Sequence, residues 1–170
     1  ALADILFGTV NPSGKLAMTL PRATGQIPLY YNPPKSGRPC DGYYGATRPI
    51  NYQDMSGMPM YPFGYGLSYT TFDVSFSASN DEKSVTVTAK VKNTGAYSGK
   101  EVIQVYYSAP DGKLGKPARE LVSYAKTKEL APDEEQTLTL SFDINDMASY
   151  DDSGVTGNKS CYVLEEGAYE

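Results

Sequence analysis

The sequence predicts a mainly β protein: an antiparallel β-sandwich, preceded by a helix-turn-strand unit from the end of an α/β layer and a long irregular linker. Three observations point there. Apolar residues alternate with a period of two in several short runs after residue 71, and turn signals separate the runs. Nine of the twelve prolines lie before residue 73, so ladders are expected mainly after it. Tyrosine, which favours pleated surfaces, occurs 15 times, against five phenylalanines and no tryptophan.

Residues 1–7 read as the last turns of a helix, with Gly8 where a C-cap glycine would stand. Asn11-Pro12-Ser13-Gly14 is a turn: proline fixes φ and glycine permits positive φ. Residues 15–20 then alternate, placing Leu16, Met18 and Leu20 on one strand face before Pro21. Helix, turn and strand together read as the final unit of an α/β layer. Residues 25–69 interleave proline, glycine and tyrosine. A tract that long either lines a site or packs as a linker across a neighbouring domain, and the linker role suits most of it.

From residue 71 the strands follow in order. Val74, Phe76 and Ala78 alternate, and Asn80-Asp81 turns. Val85, Val87, Ala89 and Val91 alternate again, and Asn93-Thr94-Gly95 turns. Residues 101–107 are rich in β-branched and aromatic side chains, and 121–124 and 161–164 are further short candidates. Residues 136–142 put Leu138, Leu140 and Phe142 on one face. The expected interior is Val74, Phe76, Val85, Val87, Val91, Leu138, Leu140 and Phe142.

Composition narrows the chemistry. The formal net charge is -5 with no lysine or arginine block, which argues against a nucleic-acid partner. No apolar run approaches membrane-spanning length, so no membrane partner is expected. The start lacks a basic leader and carries Asp4, unlike a signal peptide. With no targeting signal visible, a cytoplasmic or a secreted bacterial location fits equally. There is no histidine, so Ser-His-Asp catalysis and histidine-based zinc sites are excluded. No metal site and no cofactor are expected. Cys40 and Cys161 are far apart and too sparse for a disulfide scaffold, so both are expected as free thiols. The tyrosines fit β-structure, although such rings also line sugar sites.

Two long motifs carry a family resemblance: Asn11-Pro12-Ser13-Gly14-Lys15-Leu16 and Tyr61-Pro62-Phe63-Gly64-Tyr65-Gly66-Leu67-Ser68-Tyr69. With Ala3-Asp4-Ile5-Leu6-Phe7-Gly8 before the first, they resemble glycoside hydrolase family 3, the β-glucosidases and their relatives. The first resembles the end of that family's α/β sandwich domain. The second resembles the signature that precedes its fibronectin type III-like (immunoglobulin-like) domain. Tyr52 and Asp54 lie in a weaker family-like stretch. Val91-Lys92-Asn93-Thr94-Gly95 and Gly99-Lys100-Glu101-Val102-Ile103-Gln104-Val105-Tyr106 resemble the β-domain itself. The implied division is 1–24 as the end of the α/β sandwich, 25–70 as linker, and 71–170 as the fibronectin type III-like domain without its last strand.

The resemblance implies a parent enzyme, a retaining β-glucosidase that hydrolyses terminal β-linked sugars with two carboxylates. The family's nucleophile belongs to a barrel domain, and its usual glutamate acid/base lies upstream of the Asn11 turn. The first glutamate here is Glu82, and Asp4, Asp41, Asp54 and Asp73 match no catalytic motif. No catalytic residue is therefore assigned, and the chain alone is expected to be inactive. Ala1 falls inside a helix pattern, and residues 165–170 resemble the approach to a further strand, so both ends read as cut. The expected partners are the remaining domains of the parent glycosidase and, through them, its β-linked glycoside; a homodimer is compatible. Tyr43, Tyr44, Arg48 and Tyr52 are candidates for a substrate rim, or they cement the tract to the β-domain. A free-standing β-sandwich module binding carbohydrate or protein, or a structural spacer, are the competing readings.

Overall fold

The computed structural model describes residues 2–32 and 55–170. Helix α1 (Leu2–Leu6) is short and buries none of its residues. Five residues are too few to hold a helix in water on their own. Neighbours fix it instead: the Tyr69 hydroxyl donates to the Ile5 carbonyl at 2.7 Å, and the Val10 amide donates to Asp4 at 3.0 Å. Gly8 ends it at φ 76°, the left-handed conformation expected of a C-cap glycine.

The strand expected over residues 15–20 is corrected by the structure to an extended arm with isolated ladder contacts. Leu16 exchanges backbone hydrogen bonds with Tyr65 and Gly64, each at 2.8 Å. Leu20 bridges Tyr61, donating at 2.9 Å. Between those contacts the arm bends at residues 17 and 18, so the ladder does not run through. Met18, expected on one face with Leu16 and Leu20, is 63% exposed. A 3-10 turn follows at Thr24–Gln26.

The remaining elements are β1 (Phe72–Asn80), β2 (Ser84–Asn93), β3 (Val102–Tyr107), β4 (Glu120–Lys126), β5 (Glu135–Asp143), a 3-10 turn at Ile144–Met147, β6 (Ser149–Asp151) and β7 (Cys161–Val163). Among the described residues they form three sheets: β1-β2-β5, β3-β4 and β6-β7. β2 is central and antiparallel to both neighbours, with Val74 opposite Val91 on one side and Val87 opposite Leu140 on the other. The Asp81 carboxylate closes the β1–β2 hairpin by accepting the Lys83 and Ser84 amides at 2.8 Å.

The chain divides into two compact units. The first holds Ala1–Leu16, Gly64–Val105 and Ser123–Asp143; the second holds Ala17–Phe63, Tyr106–Val122 and Ile144–Glu170. The first unit's core is Val87, Ala89, Val91, Leu130 and Leu140, all buried. Val85, Leu138 and Phe142 are half-buried. Val74 and Phe76 overturn the expected interior: they are 41% and 77% exposed. β1 pairs with β2 along one edge only, and alternation chooses the face of a strand without supplying a layer to cover it. In the second unit, Tyr107 and Met147 are buried, and Ser108 and Glu170 exchange two backbone hydrogen bonds at 2.7 and 3.0 Å.

Candidate functional site

The four rim candidates, Tyr43, Tyr44, Arg48 and Tyr52, lie outside the described residues, as does Cys40. Cys161 is a free thiol, as expected.

In the first unit the two long motifs meet. Asn11 is the clasp: its Oδ1 accepts the Ser68 hydroxyl and the Tyr69 amide, and its Nδ2 donates to Ser98, all at 2.9 Å. Lys15 pairs with Glu101 at 2.8 Å. Gly66 must be glycine, because a Cβ there would run into the Gly14 carbonyl oxygen. A cavity of about 920 Å³ lies beside this clasp, lined by Leu6, Phe7, Val10, Tyr69 and Tyr97, with Lys100 and Glu129 as its charged groups. Its lining residues are mainly apolar, aromatic and hydroxyl-bearing, which suits packing better than proton transfer.

The second unit has its own clasp. The Gln26 side chain is buried and donates to the carbonyls of Ser56, Gly57 and Met58 at 3.2–3.3 Å, while accepting the Arg22 amide at 2.5 Å. The rings of Tyr31 and Phe63 stack at 4.4 Å. The Tyr107 hydroxyl donates to Glu120 at 3.0 Å; burial first, and the Glu120 charge second, push its ionisation well above the usual tyrosine value.

Two carboxylates of this unit, Asp151 and Glu165, are tied into the fold. Asp151 is fully buried and accepts from Thr156 Oγ1 (2.6 Å), the amides of Gly154, Val155 and Thr156, and Ser153 Oγ. The Thr156 hydroxyl bond leads in holding its pKa far below the usual range. Burial works to raise the Glu165 pKa. The Lys116 ammonium at 3.0 Å and the amides of Lys113 and Leu114 outweigh it, so the net direction is down. A general acid working near neutral pH needs the opposite shift, so neither group is placed to act as one.

Sequence reasoning did not single out Lys116, Glu120, Asp151 or Glu165. Asp151-Asp152-Ser153-Gly154 carries a turn signal that could have located the Asp151 loop. The Lys116–Glu165 pair joins residues far apart in sequence, which leaves no local trace.

A short helix and a clasped turn lead into an antiparallel β-domain in which Asp151 and Glu165 are committed to structural bonds. Residues 1–69 match the glycosyl hydrolase family 3 C-terminal domain, and residues 101–170 match the fibronectin type III-like domain. The chain belongs to glycoside hydrolase family 3. It is 45% identical over 98% of its length to a β-glucosidase of Ruminococcus albus, and 40% identical over 99% to β-glucosidase A of Butyrivibrio fibrisolvens. Among solved structures it resembles a β-glucosidase from Paenibacillus barengoltzii, with a TM-score of 0.79 and 41% identity. It also resembles one from Listeria innocua, with a TM-score of 0.83 and 36% identity; each likeness covers 99% of this chain. The chain spans about a fifth of each: 18% and 23% of the two curated relatives, 19% and 23% of the two solved chains.

Proposed function

We propose that this chain is the scaffold and active-site-rim portion of a retaining β-glucosidase acting on terminal β-linked sugars. The observation that carries the reading is that proteins named β-glucosidases match nearly all of this chain at 40–45% identity. The commitment of Asp151 and Glu165 to structural bonds supports assigning the chemistry to other domains. On this reading, residues 1–24 end the α/β sandwich domain, 25–70 link, and 71–170 form the fibronectin type III-like domain. The remaining domains of the parent enzyme are the partners and supply nucleophile and acid/base.

Tyr43, Tyr44, Arg48 and Tyr52 then form the rim, in the same subunit or in a neighbouring one of a homodimer. Rings and a guanidinium there hold the part of the substrate beyond the scissile bond, which adds orientation without proton transfer. Tyr44→Ala in the full enzyme tests this. A rim role predicts an altered ratio of kcat/KM between an aryl β-glucoside and cellobiose, with Tm nearly unchanged. A lowered Tm with the ratio unchanged removes the tract from the functional account and leaves it as packing.

A further inference from the structure

Within the second unit, a cavity of about 500 Å³ lies beside the β6–β7 hairpin. Its charged lining is Glu120, Asp146 and Asp152 against Lys113 and Lys116, with hydroxyls from Tyr107, Ser149 and Ser153. Three carboxylates against two ammonium groups disfavour an anion. The carboxylates do not converge on a point either: among the described residues, no set of three or more acidic, histidine or cysteine groups could hold a metal ion. A neutral ligand that both donates and accepts hydrogen bonds suits such walls.

Lys116 lines the cavity with its stem and buries its head. Its side chain is only 3% exposed, and its Nζ makes an ion pair with Glu165 at 3.0 Å. The same Nζ lies 5.9 Å from the centre of the Tyr169 ring and is closed off from the cavity, so its charge is neutralised within the fold and offers no anion site.

The cavity wall also carries an aromatic platform. Tyr150 lines it and is 51% exposed. The β6–β7 register sets Tyr150 opposite Tyr162, which is 73% exposed. Their rings meet edge to face, 5.2 Å apart at 64°. Two exposed rings on so short a hairpin offer apolar faces with polar tips, the combination that packs against the C–H face of a pyranose while its hydroxyls turn to polar groups.

We propose that this cavity and its tyrosine pair bind a pyranose unit of a neutral β-linked oligosaccharide, holding it without hydrolysis. The β-linkage rests on the β-glucosidase reading above; the neutral polyhydroxyl character rests on the cavity alone. The test is native affinity electrophoresis of the full-length protein in gels with and without barley β-glucan, alongside hydrolysis of p-nitrophenyl β-glucoside. Wild type is expected to be retarded by the glucan. Tyr150→Ala is expected to weaken the dissociation constant about tenfold with hydrolysis unchanged. Tyr150→Phe, which keeps the ring, is expected to bind as wild type does. Absence of retardation in wild type, or full retardation in Tyr150→Ala, overturns the proposal. So does equal retardation by anionic carboxymethylcellulose, or a parallel loss of hydrolysis and retardation in Tyr150→Ala. Retardation without any hydrolysis by wild type would instead overturn the β-glucosidase reading and leave the subsite standing.

Discussion

Asn93 uses every hydrogen-bonding group of its side chain. It is fully buried; Nδ2 donates to Tyr97 and Leu130, and Oδ1 accepts from Thr70 and Gly95. In the sequence it looked like one residue of a turn. In the fold it ties that turn to two distant segments, since a buried amide must find partners wherever the chain brings them. Asp151 does the same with a charge, and its lowered pKa has a consequence. A carboxylate with a depressed folded-state pKa stabilises the fold above its unfolded value, near 3.8 for aspartate, and the contribution is lost as pH falls below that value towards the folded one. Asp151→Asn is therefore expected to be less stable than wild type from neutral pH down to about 5 by a constant margin, which narrows as pH drops below the unfolded value. Urea midpoints across a pH series check this; a margin independent of pH down to acid unfolding would contradict it.

At the scale of elements, strand position decided burial. β2, paired on both sides, buries Val87, Ala89 and Val91, while the equally regular β1 leaves Val74 and Phe76 exposed. Leu140, 4% exposed and opposite Val87, sits in the covered part of the sheet. Leu140→Ala is expected to cost roughly 2–5 kcal/mol. Phe76→Ser is expected to change stability by only about 0.5 kcal/mol. Equilibrium urea unfolding of both variants reads the contrast, and a Phe76→Ser loss as large as that of Leu140→Ala would mean that β1 is covered after all.

At the scale of the molecule, the proposal separates scaffold from chemistry. The isolated 170-residue chain is expected to give no turnover of aryl β-glycosides, because a positioned carboxylate pair supplies that reaction and the buried carboxylates described here are bound into loops. Turnover by highly purified chain that a single substitution within it abolishes would place the catalysis here instead. Each of the two compact units is assembled from three stretches of sequence.

The amino-acid sequence by itself determined the local periodicities, the turns and the family. The runs at 85–91, 101–107 and 136–142 are strands because period-two alternation is a property of neighbouring residues, and Gly8 caps its helix because only local backbone freedom is needed there. The long motifs at Asn11 and Tyr61 identified the family and meet in the fold through contacts at Leu16 and Asn11. Tertiary structure alone decided the rest. A bend at residues 17 and 18 reduced a predicted strand to isolated contacts with the 61–65 segment. The order β1-β2-β5 chose which alternating faces are covered. The cavity beside Tyr150 joins Lys116 and Glu120 of one stretch of chain to Asp152 of another. Sequence spacing encodes neither a partner strand nor the wall of a cavity, because both depend on segments that only folding brings together.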